Sequence, residues 1–358
     1  MLLEGLHIPL TTPFRADGRL NPRKLAANVE RYSRTPAAGL IALGPSGEPT
    51  LLTDEETREV LRTAAQAAAP EKVLIAGIAR DGATAVLELA EYAAEQDYDA
   101  VLVGAPSILA VDSGDDPQTT SQLRELLTYF QALADRSALP IIVLSAPGRA
   151  ICSEAVVELA AHSRIIALLD AQRRPPQSDA FEQLVRLTVA SRQEVTVTHV
   201  FGAVTGRMKK AAGHAHGALV SASSLTGTAT AVVDAPGQPA LRTRKNTVGF
   251  QVLAGDTAAM RYGLIAGAIG VAPAFAACAP QACYEVFAAW KDDDPALAEE
   301  KQERLIDAAA AAELLGPGGL KFGCDLNGYF GGGTRLPHLP ASGRERAELE
   351  ELMKGLRN

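Results

Sequence analysis

The sequence is poor in the residues that mark several classes of protein. It has four cysteines, Cys152, Cys278, Cys283 and Cys324, which are too few and too scattered to form a disulfide framework. A reducing, cytoplasmic compartment is therefore expected. Aromatic residues make up only 5% of the chain, whereas hydrophobic residues make up 47%. Because much of this apolar content is alanine, we expect an aliphatic core between closely packed helices.

Long apolar runs and dense basic clusters are also missing. No run approaches the roughly 20 apolar residues that a membrane-spanning helix needs. The N-terminal stretch MLLEGLHIPLTTPF contains Glu4 and no basic segment, so we do not expect a signal peptide. The net charge is -8, and no cluster of lysines and arginines is dense, which argues against nucleic acid as a partner.

Apolar strand-like runs alternate with helical segments from the first residues onwards. Six such runs, each followed by a helical segment, predict a parallel sheet. Two later runs bring the number of βα units to eight, which favours a closed (β/α)8 TIM barrel over an open sheet. No GxGxxG follows the first strand, so a dinucleotide-binding fold is disfavoured. The predicted strands are residues 6–10, 39–43, 73–78, 99–104, 140–144, 165–169, 250–254 and 270–275.

The chain is predicted to divide into a barrel over residues 1–278 and a C-terminal helical extension over 279–358. The stretch of sequence between the sixth and seventh predicted strands is too long for a single crossover helix. Residues 178–192 supply that helix, and residues from about 194 to 248 are predicted to be an insertion. The small, polar composition of this insertion is typical of an ordered excursion or a mobile lid.

Several motifs resemble the dihydrodipicolinate synthase / N-acetylneuraminate lyase family. IPLTTPF, GLIALGPSGEPTLLTDEE and PIIVLSAPGR occur in this order, and GGLKFGCDLNGYFGGGTRLPHLP is similar to that family's helical tail. The resemblance covers most of the chain except about 194–248. It implies a (β/α)8 barrel, a class I lyase or aldolase that binds a 2-oxo acid as an imine, and a homo-oligomer. No metal or other cofactor is expected.

The chain departs from the family at the positions that imine chemistry requires. An imine needs a buried lysine of lowered pKa, and a tyrosine must relay protons. By the resemblance, the lysine position at the end of the sixth strand holds Leu169, and the tyrosine position on the fifth strand holds Leu144. No lysine lies between Val73 and Met208, so a shift in the alignment does not restore the nucleophile. We therefore predict that Schiff-base activity has been lost.

Part of the family's ligand site remains in the sequence. The loop that holds the substrate carboxylate in the family begins here with Pro45, which removes one backbone donor. Arg149 is the strongest ligand-facing group, since arginine can pair bidentately with a carboxylate; a structural ion pair is the alternative role. The predicted ligand-binding residues are Pro45, Ser46, Gly47, Glu48, Ser145 and Arg149.

Two other interpretations stay open. The protein would be an active enzyme if it used the same pocket for different chemistry, or a lyase if another lysine had taken over. Lys209, Lys210 and Lys245 are the lysines that an insertion folded over the barrel mouth would bring there. His214 and His216 share one face at strand spacing, but no third ligand lies nearby, so no metal site is predicted. The preferred interpretation is a family member that binds a small carboxylate and lacks imine chemistry.

Overall fold

The computed structural model of the chain describes residues 2–109, 120–173, 179–188, 192–198, 205–208, 210 and 243–356. Eight parallel strands close into a barrel, which confirms the predicted fold: β1 Gly5–Pro9, β2 Gly39–Ala42, β3 Val73–Ile78, β4 Ala100–Gly104, β5 Ile141–Ser145, β6 Ile165–Asp170, β9 Gln251–Ala254 and β10 Gly270–Val271. Two further strands, β7 Arg192–Thr198 and β8 Thr243–Gly249, form a separate antiparallel ribbon. Around the barrel the strand order is β1, β10, β9, β6, β5, β4, β3, β2.

Helices alternate with the strands and continue into the tail. They are α1 Pro22–Ser33, α2 Asp54–Ala67, α3 Ala83–Glu95, α4 Thr120–Arg136, α5 Ser153–Ala160, α6 Asp179–Thr188, α7 Met260–Ile265, α8 Pro280–Lys291, α9 Pro295–Leu314, α10 Pro317–Leu326 and α11 Gly343–Leu352. Thr53 and Glu56 form a reciprocal capping box at the start of α2, as their spacing predicts. In the part of the chain that the structure describes, no helix is long and apolar enough to cross a membrane.

Each barrel strand presents one set of side chains to the helices and the other to the barrel interior. Leu6 and Ile8 of β1 pack against the helices, and the alternate positions of the strands point inward. The interior cluster is aliphatic and consists of Leu3, Ile41, Val73, Ile75, Ala100, Leu102, Ile142, Ile166, Ala167, Leu169, Leu253 and Ala272. The interior is therefore a packed core rather than a channel.

The described segment around Thr205 lies at the face of the barrel opposite the mouth. It follows α6 and precedes β9, and helices of a βα barrel end where the next strands begin. Thr205 donates to the carbonyl of Pro70, and the backbone N–H of Gly206 lies 3.2 Å from Oδ1 of Asp99. Pro70 and Asp99 precede β3 and β4, so this short segment lies at the N-terminal face of the barrel. The boundaries 194–248 stay a prediction, because most of that range lies outside the described residues.

The C-terminal helices pack against the first βα unit. The hydroxyl of Tyr32 in α1 donates to the carbonyl of Ala277 at 2.6 Å, and its ring stacks on Tyr329 with 4.1 Å between centroids. The Asn28 side chain exchanges two hydrogen bonds of 2.8 Å with the backbone of Phe330. These contacts hold α10 beside the loop that follows β2, where the candidate site begins.

Candidate functional site

A cavity of about 340 Å³ opens at the carboxyl ends of β2, β3, β4 and β5. This is the end of the barrel at which (β/α)8 enzymes carry their active sites. Apolar side chains and backbone form much of its wall, and three side chains that can carry positive charge also line it: Arg80, Arg149 and His338. Of the predicted ligand-binding residues, Pro45, Glu48 and Arg149 line the cavity. Ser46, Gly47 and Ser145 are not among the residues that form its wall.

The loop after β2 is built as a tight turn. Pro45–Gly47 form one turn of 3-10 helix, in which the N–H of Gly47 donates to the carbonyl of Gly44 at 2.8 Å. The carbonyl of Gly47 accepts the hydroxyl of Thr12 at 2.6 Å, and the Ser46 residue is buried. The hydrogen-bonding groups of Gly47 are therefore used within the protein, and Pro45 has no N–H to offer.

Glu48 has a structural contact that sequence analysis did not identify. Its backbone adopts the left-handed conformation with φ 53°, and its carboxylate forms an ion pair with Lys321, both side chains being almost fully buried. The Lys321 amine also donates to the carbonyl of Gly333 at 2.7 Å and lies 4.3 Å from the centroid of the Phe14 ring. Burial lowers the pKa of Lys321, and the Glu48 carboxylate opposes that shift. Glu48 thus fastens the loop to α10.

Arg149 lies at the rim of the cavity with its side chain 36% exposed. Its Nη1 group donates to the carbonyl of Ala105 at 3.2 Å and lies 3.5 Å from Oδ1 of Asp81. Within the described residues its Nε and Nη2 groups make no hydrogen bond, so they are available to an anion. Asp81 also accepts the backbone N–H and the hydroxyl of Ser107; these bonds lower the pKa of Asp81 first, and Arg149 adds to the effect.

Two further groups, Arg80 at the rim and Tyr129 near Asp81 and Arg149, were not predicted from the sequence. Arg80 donates to Asp54 at 2.7 Å and to the hydroxyl of Thr57 at 3.3 Å, and it borders the cavity. The Tyr129 hydroxyl of α4 is buried and has no hydrogen-bond partner among the described residues. Burial, with a smaller contribution from Asp81, raises the pKa of Tyr129 to about 12, and Arg149 opposes this shift. No sequence signal marks Tyr129, because its position depends on how α4 packs.

Leu144 and Leu169, which the sequence resemblance aligns with the family's catalytic positions, lie side by side at the ends of β5 and β6. Leu144 pairs in register with Leu169. Leu169 is buried within the interior cluster, and the half-buried Leu144 packs against that cluster and borders the cavity. Ser145 points elsewhere: its hydroxyl accepts the N–H of Ile151 at 3.2 Å and lies 3.3 Å from Nε2 of Gln172. This part of the mouth is therefore apolar.

The structure brings no insertion lysine to the mouth within the residues it describes. Lys210 forms an ion pair with Asp97, which precedes β4 at the opposite face. Lys245 lies in β8, of which only the backbone is described. Lys209, His199, His214 and His216 lie outside the described residues. In the described part of the chain, no group of three or more acidic, histidine or cysteine side chains could hold a metal ion.

Known proteins that resemble this chain in sequence identify its family. The model of the dihydrodipicolinate synthetase family matches residues 2–189, more than half of the chain. The chain belongs to this family. A 4-hydroxy-tetrahydrodipicolinate synthase of Exiguobacterium sp. is 31% identical over 173 residues, which are 48% of this chain and 56% of the relative. The chain thus spans little more than half the length of that relative.

A more complete match comes from Methanothrix thermoacetophila. Its 4-hydroxy-tetrahydrodipicolinate synthase is 25% identical over 356 residues, covering 98% of this chain and 96% of the relative. Among solved structures, YagE of Escherichia coli K12, a prophage protein of the dihydrodipicolinic acid synthase family in complex with pyruvate, aligns with a TM-score of 0.72. It is 21% identical and covers 99% of both chains, so it supports the shared fold.

Proposed function

We propose that this family member binds a small carboxylate at the barrel mouth and forms no imine with 2-oxo acids. The observation that carries the proposal is the apolar pair Leu144 and Leu169 at the ends of β5 and β6. By the resemblance, these are the positions of the family's proton-relay tyrosine and imine-forming lysine. A leucine side chain offers neither a nucleophile nor a proton, so the family reaction has no first step at this place.

The nearest buried lysine does not replace the missing nucleophile in this proposal. Lys321 is held by the Glu48 carboxylate and by the carbonyl of Gly333, and its side chain is almost fully buried. Imine formation would require a neutral, accessible amine, whereas a partnered carboxylate favours the charged ammonium. Glu48 would also be left as an unpaired buried charge. Lys321 is therefore assigned to structure.

Carboxylate binding is assigned to the cationic rim. Arg149 lines the cavity with Nε and Nη2 groups that no described residue engages, and an arginine fork matches a carboxylate in geometry and charge. The cavity of about 340 Å³ lies at the small end of the range for ligand pockets, which runs from about 300 to 1,000 Å³. A small anion therefore suits the cavity better than a large one.

The cellular setting in this proposal is the cytoplasm. Cys152, Cys278, Cys283 and Cys324 are all free and buried in the structure. Burial raises the pKa of Cys283 and Cys152, so their thiols stay protonated at neutral pH. Buried thiols without disulfide partners are in keeping with a reducing compartment.

Borohydride trapping tests the loss of imine chemistry. We expect intact-mass spectrometry of the wild-type protein, treated with pyruvate and borohydride, to show no pyruvate-derived mass increase. Leu169→Lys should show no pyruvate-dependent aldol activity, because Leu144 still supplies no proton relay. The same substitution should lower the free energy of unfolding by on the order of 3 kcal/mol, since it buries an unpaired amine.

Leu187→Lys is the matched control, because Leu187 lies on α6 with 57% of its surface exposed. It should leave both the unfolding free energy and the background of trapping close to wild-type values. A pyruvate-derived mass increase on the wild-type protein would refute the proposal and identify, by peptide mapping, the lysine that has taken over. Turnover of a 2-oxo acid without any trapped adduct would instead favour a different chemistry in the same cavity.

A further inference from the structure

The cavity at the mouth has an apolar floor, and its charged side chains lie at the rim. Leu43, Leu102 and Leu144, from the ends of three strands, form an aliphatic floor together with Ile78. Leu43 and Leu102 are buried, whereas Leu144 is half-buried and faces the open space. Apolar surface that borders a cavity gains free energy when a ligand covers it with apolar groups.

The charged groups are confined to the rim, where Arg80 is paired with Asp54 and Arg149 with Asp81. Arg80, Arg149 and His338 line the cavity, and the carboxylate among the described lining residues is Glu48. Glu48 is already paired with Lys321 and accepts the N–H of Arg335 at 3.4 Å, so it is committed to the protein. The Nε and Nη2 groups of Arg149, which no described residue engages, are donors that an anion can use, while the floor offers no charged group to a polar ligand body.

We infer, building on the proposed carboxylate binding, that this site selects a carboxylate with an unbranched aliphatic body over pyruvate and over polyhydroxylated acids. The carboxylate pairs with Arg149, and the carbon chain runs over Leu144 towards Leu102. A ligand with hydroxyl groups along its body would place them against leucine side chains, where they lose hydrogen bonds to water without replacement. With Leu169 and Leu144 in place of the family's lysine and tyrosine, the floor is an apolar binding surface instead of a polar reaction centre.

Isothermal titration calorimetry on the full chain tests the preference. The probes are sodium acetate, butanoate and hexanoate, with pyruvate and gluconate for comparison. The dissociation constant should fall about threefold to fourfold for each added methylene group. Hexanoate should bind more tightly than gluconate, which has the same number of carbons with hydroxyl groups on five of them. Arg149→Gln should weaken all members of the series by a similar factor.

Two variants on the floor separate chain-length selection from general binding. Leu144→Ser should flatten the dependence of affinity on chain length, whereas Leu187→Ser on the exposed face of α6 should change neither this dependence nor the affinity for acetate. Gly104→Ala is a milder second variant, because an added Cβ there would meet Leu144 atoms only at 3.7 Å or more. Its methyl group occupies cavity space, so it should weaken hexanoate more than acetate.

Each outcome of the titrations is decisive. Affinity that rises with chain length in the wild type and flattens in Leu144→Ser supports the inference. Equal affinity across the aliphatic series, or tighter binding of gluconate or pyruvate than of hexanoate, overturns it while carboxylate binding itself stands. Absence of binding by every probe overturns both the inference and the carboxylate-binding part of the proposed function.

Discussion

At the scale of single residues, His7 is buried within the barrel without a full set of hydrogen bonds. It faces the interior, because its neighbours Leu6 and Ile8 pack against the helices. Its Nε2 atom lies 3.0 Å from the carbonyl of Leu3, and its Nδ1 atom has no partner among the described residues. Burial lowers the pKa of His7 to about 4, and the bond to Leu3 opposes that shift only in part. The neutral imidazole is therefore the form that fits the fold.

This arrangement predicts that the free energy of unfolding decreases as the pH falls. In the unfolded chain His7 binds a proton below about pH 6.5, whereas in the folded protein it does so only below about pH 4. The contribution of His7 to stability is complete above pH 6.5 and is lost as the pH falls to 4, by about 3 kcal/mol. Urea unfolding at pH 7, 5.5 and 4.5 should show this loss in the wild type and a smaller loss in His7→Gln. Parallel pH profiles for the two proteins would contradict the assignment.

At the scale of elements, the Glu48–Lys321 pair joins the loop after β2 to helix α10 across the buried Phe14 ring. The two residues are far apart in sequence, and the pair fixes one wall of the cavity. A buried ion pair adds little net stability, but removing one partner leaves the other charge uncompensated. The cavity wall and the tail helices are thus expected to lose their order together when this contact is broken.

We therefore predict that Lys321→Met lowers the free energy of unfolding by about 3 to 5 kcal/mol. The double variant Glu48→Gln/Lys321→Met should recover part of the loss, because no unpaired charge then remains. Lys301→Met is the matched control in the neighbouring helix α9, where the pair with Glu285 is partly exposed. It should cost about 1 kcal/mol or less. Chemical denaturation measures all four proteins; equal effects of Lys321→Met and Lys301→Met would show that the buried pair has no special role.

At the scale of the whole molecule, an exposed apolar side chain marks the loop after β4. Ile108 is 86% exposed and stands next to Ser107, which hydrogen-bonds Asp81 at the rim. In the family that the sequence resembles, the corresponding loop often carries a tyrosine pair that reaches a neighbouring subunit, whereas this chain has Ser107 and Ile108 there. An isoleucine here can support an apolar subunit contact, but it cannot relay a proton into the partner's site.

We predict a homo-oligomer, at least a dimer, that depends on this contact. Light scattering at micromolar concentration should give a mass of two or more chains for the wild type and a lower mass for Ile108→Asp. Leu187→Asp, on an exposed position of α6, should leave the mass unchanged. A wild-type monomer would refute the prediction, and an unaltered mass for Ile108→Asp would place the contact elsewhere.

The barrel fold and the approximate positions of its strands could be predicted from the sequence. Buried parallel strands are short apolar runs bounded by polar turns. A run such as Ile165 to Leu169 therefore predicts a strand at that place in the chain. The positions of Leu144 and Leu169 near strand ends could also be predicted, because each is the last residue of its apolar run. The helix α10 has little helical signal of its own, since its sequence PGGLKFGCDL contains three glycines.

Only the tertiary structure decided which residues meet at the mouth. Lys321 reaches Glu48, and Asp81 reaches Arg149, through helix packing and loop geometry that no local pattern encodes. The structure also placed the segment around Thr205 at the face opposite the mouth, because an insertion between a helix and the next strand emerges where strands begin. Local sequence determines secondary structure through periodicity and backbone preference, whereas a site depends on long-range contacts whose partners become neighbours only when the barrel closes.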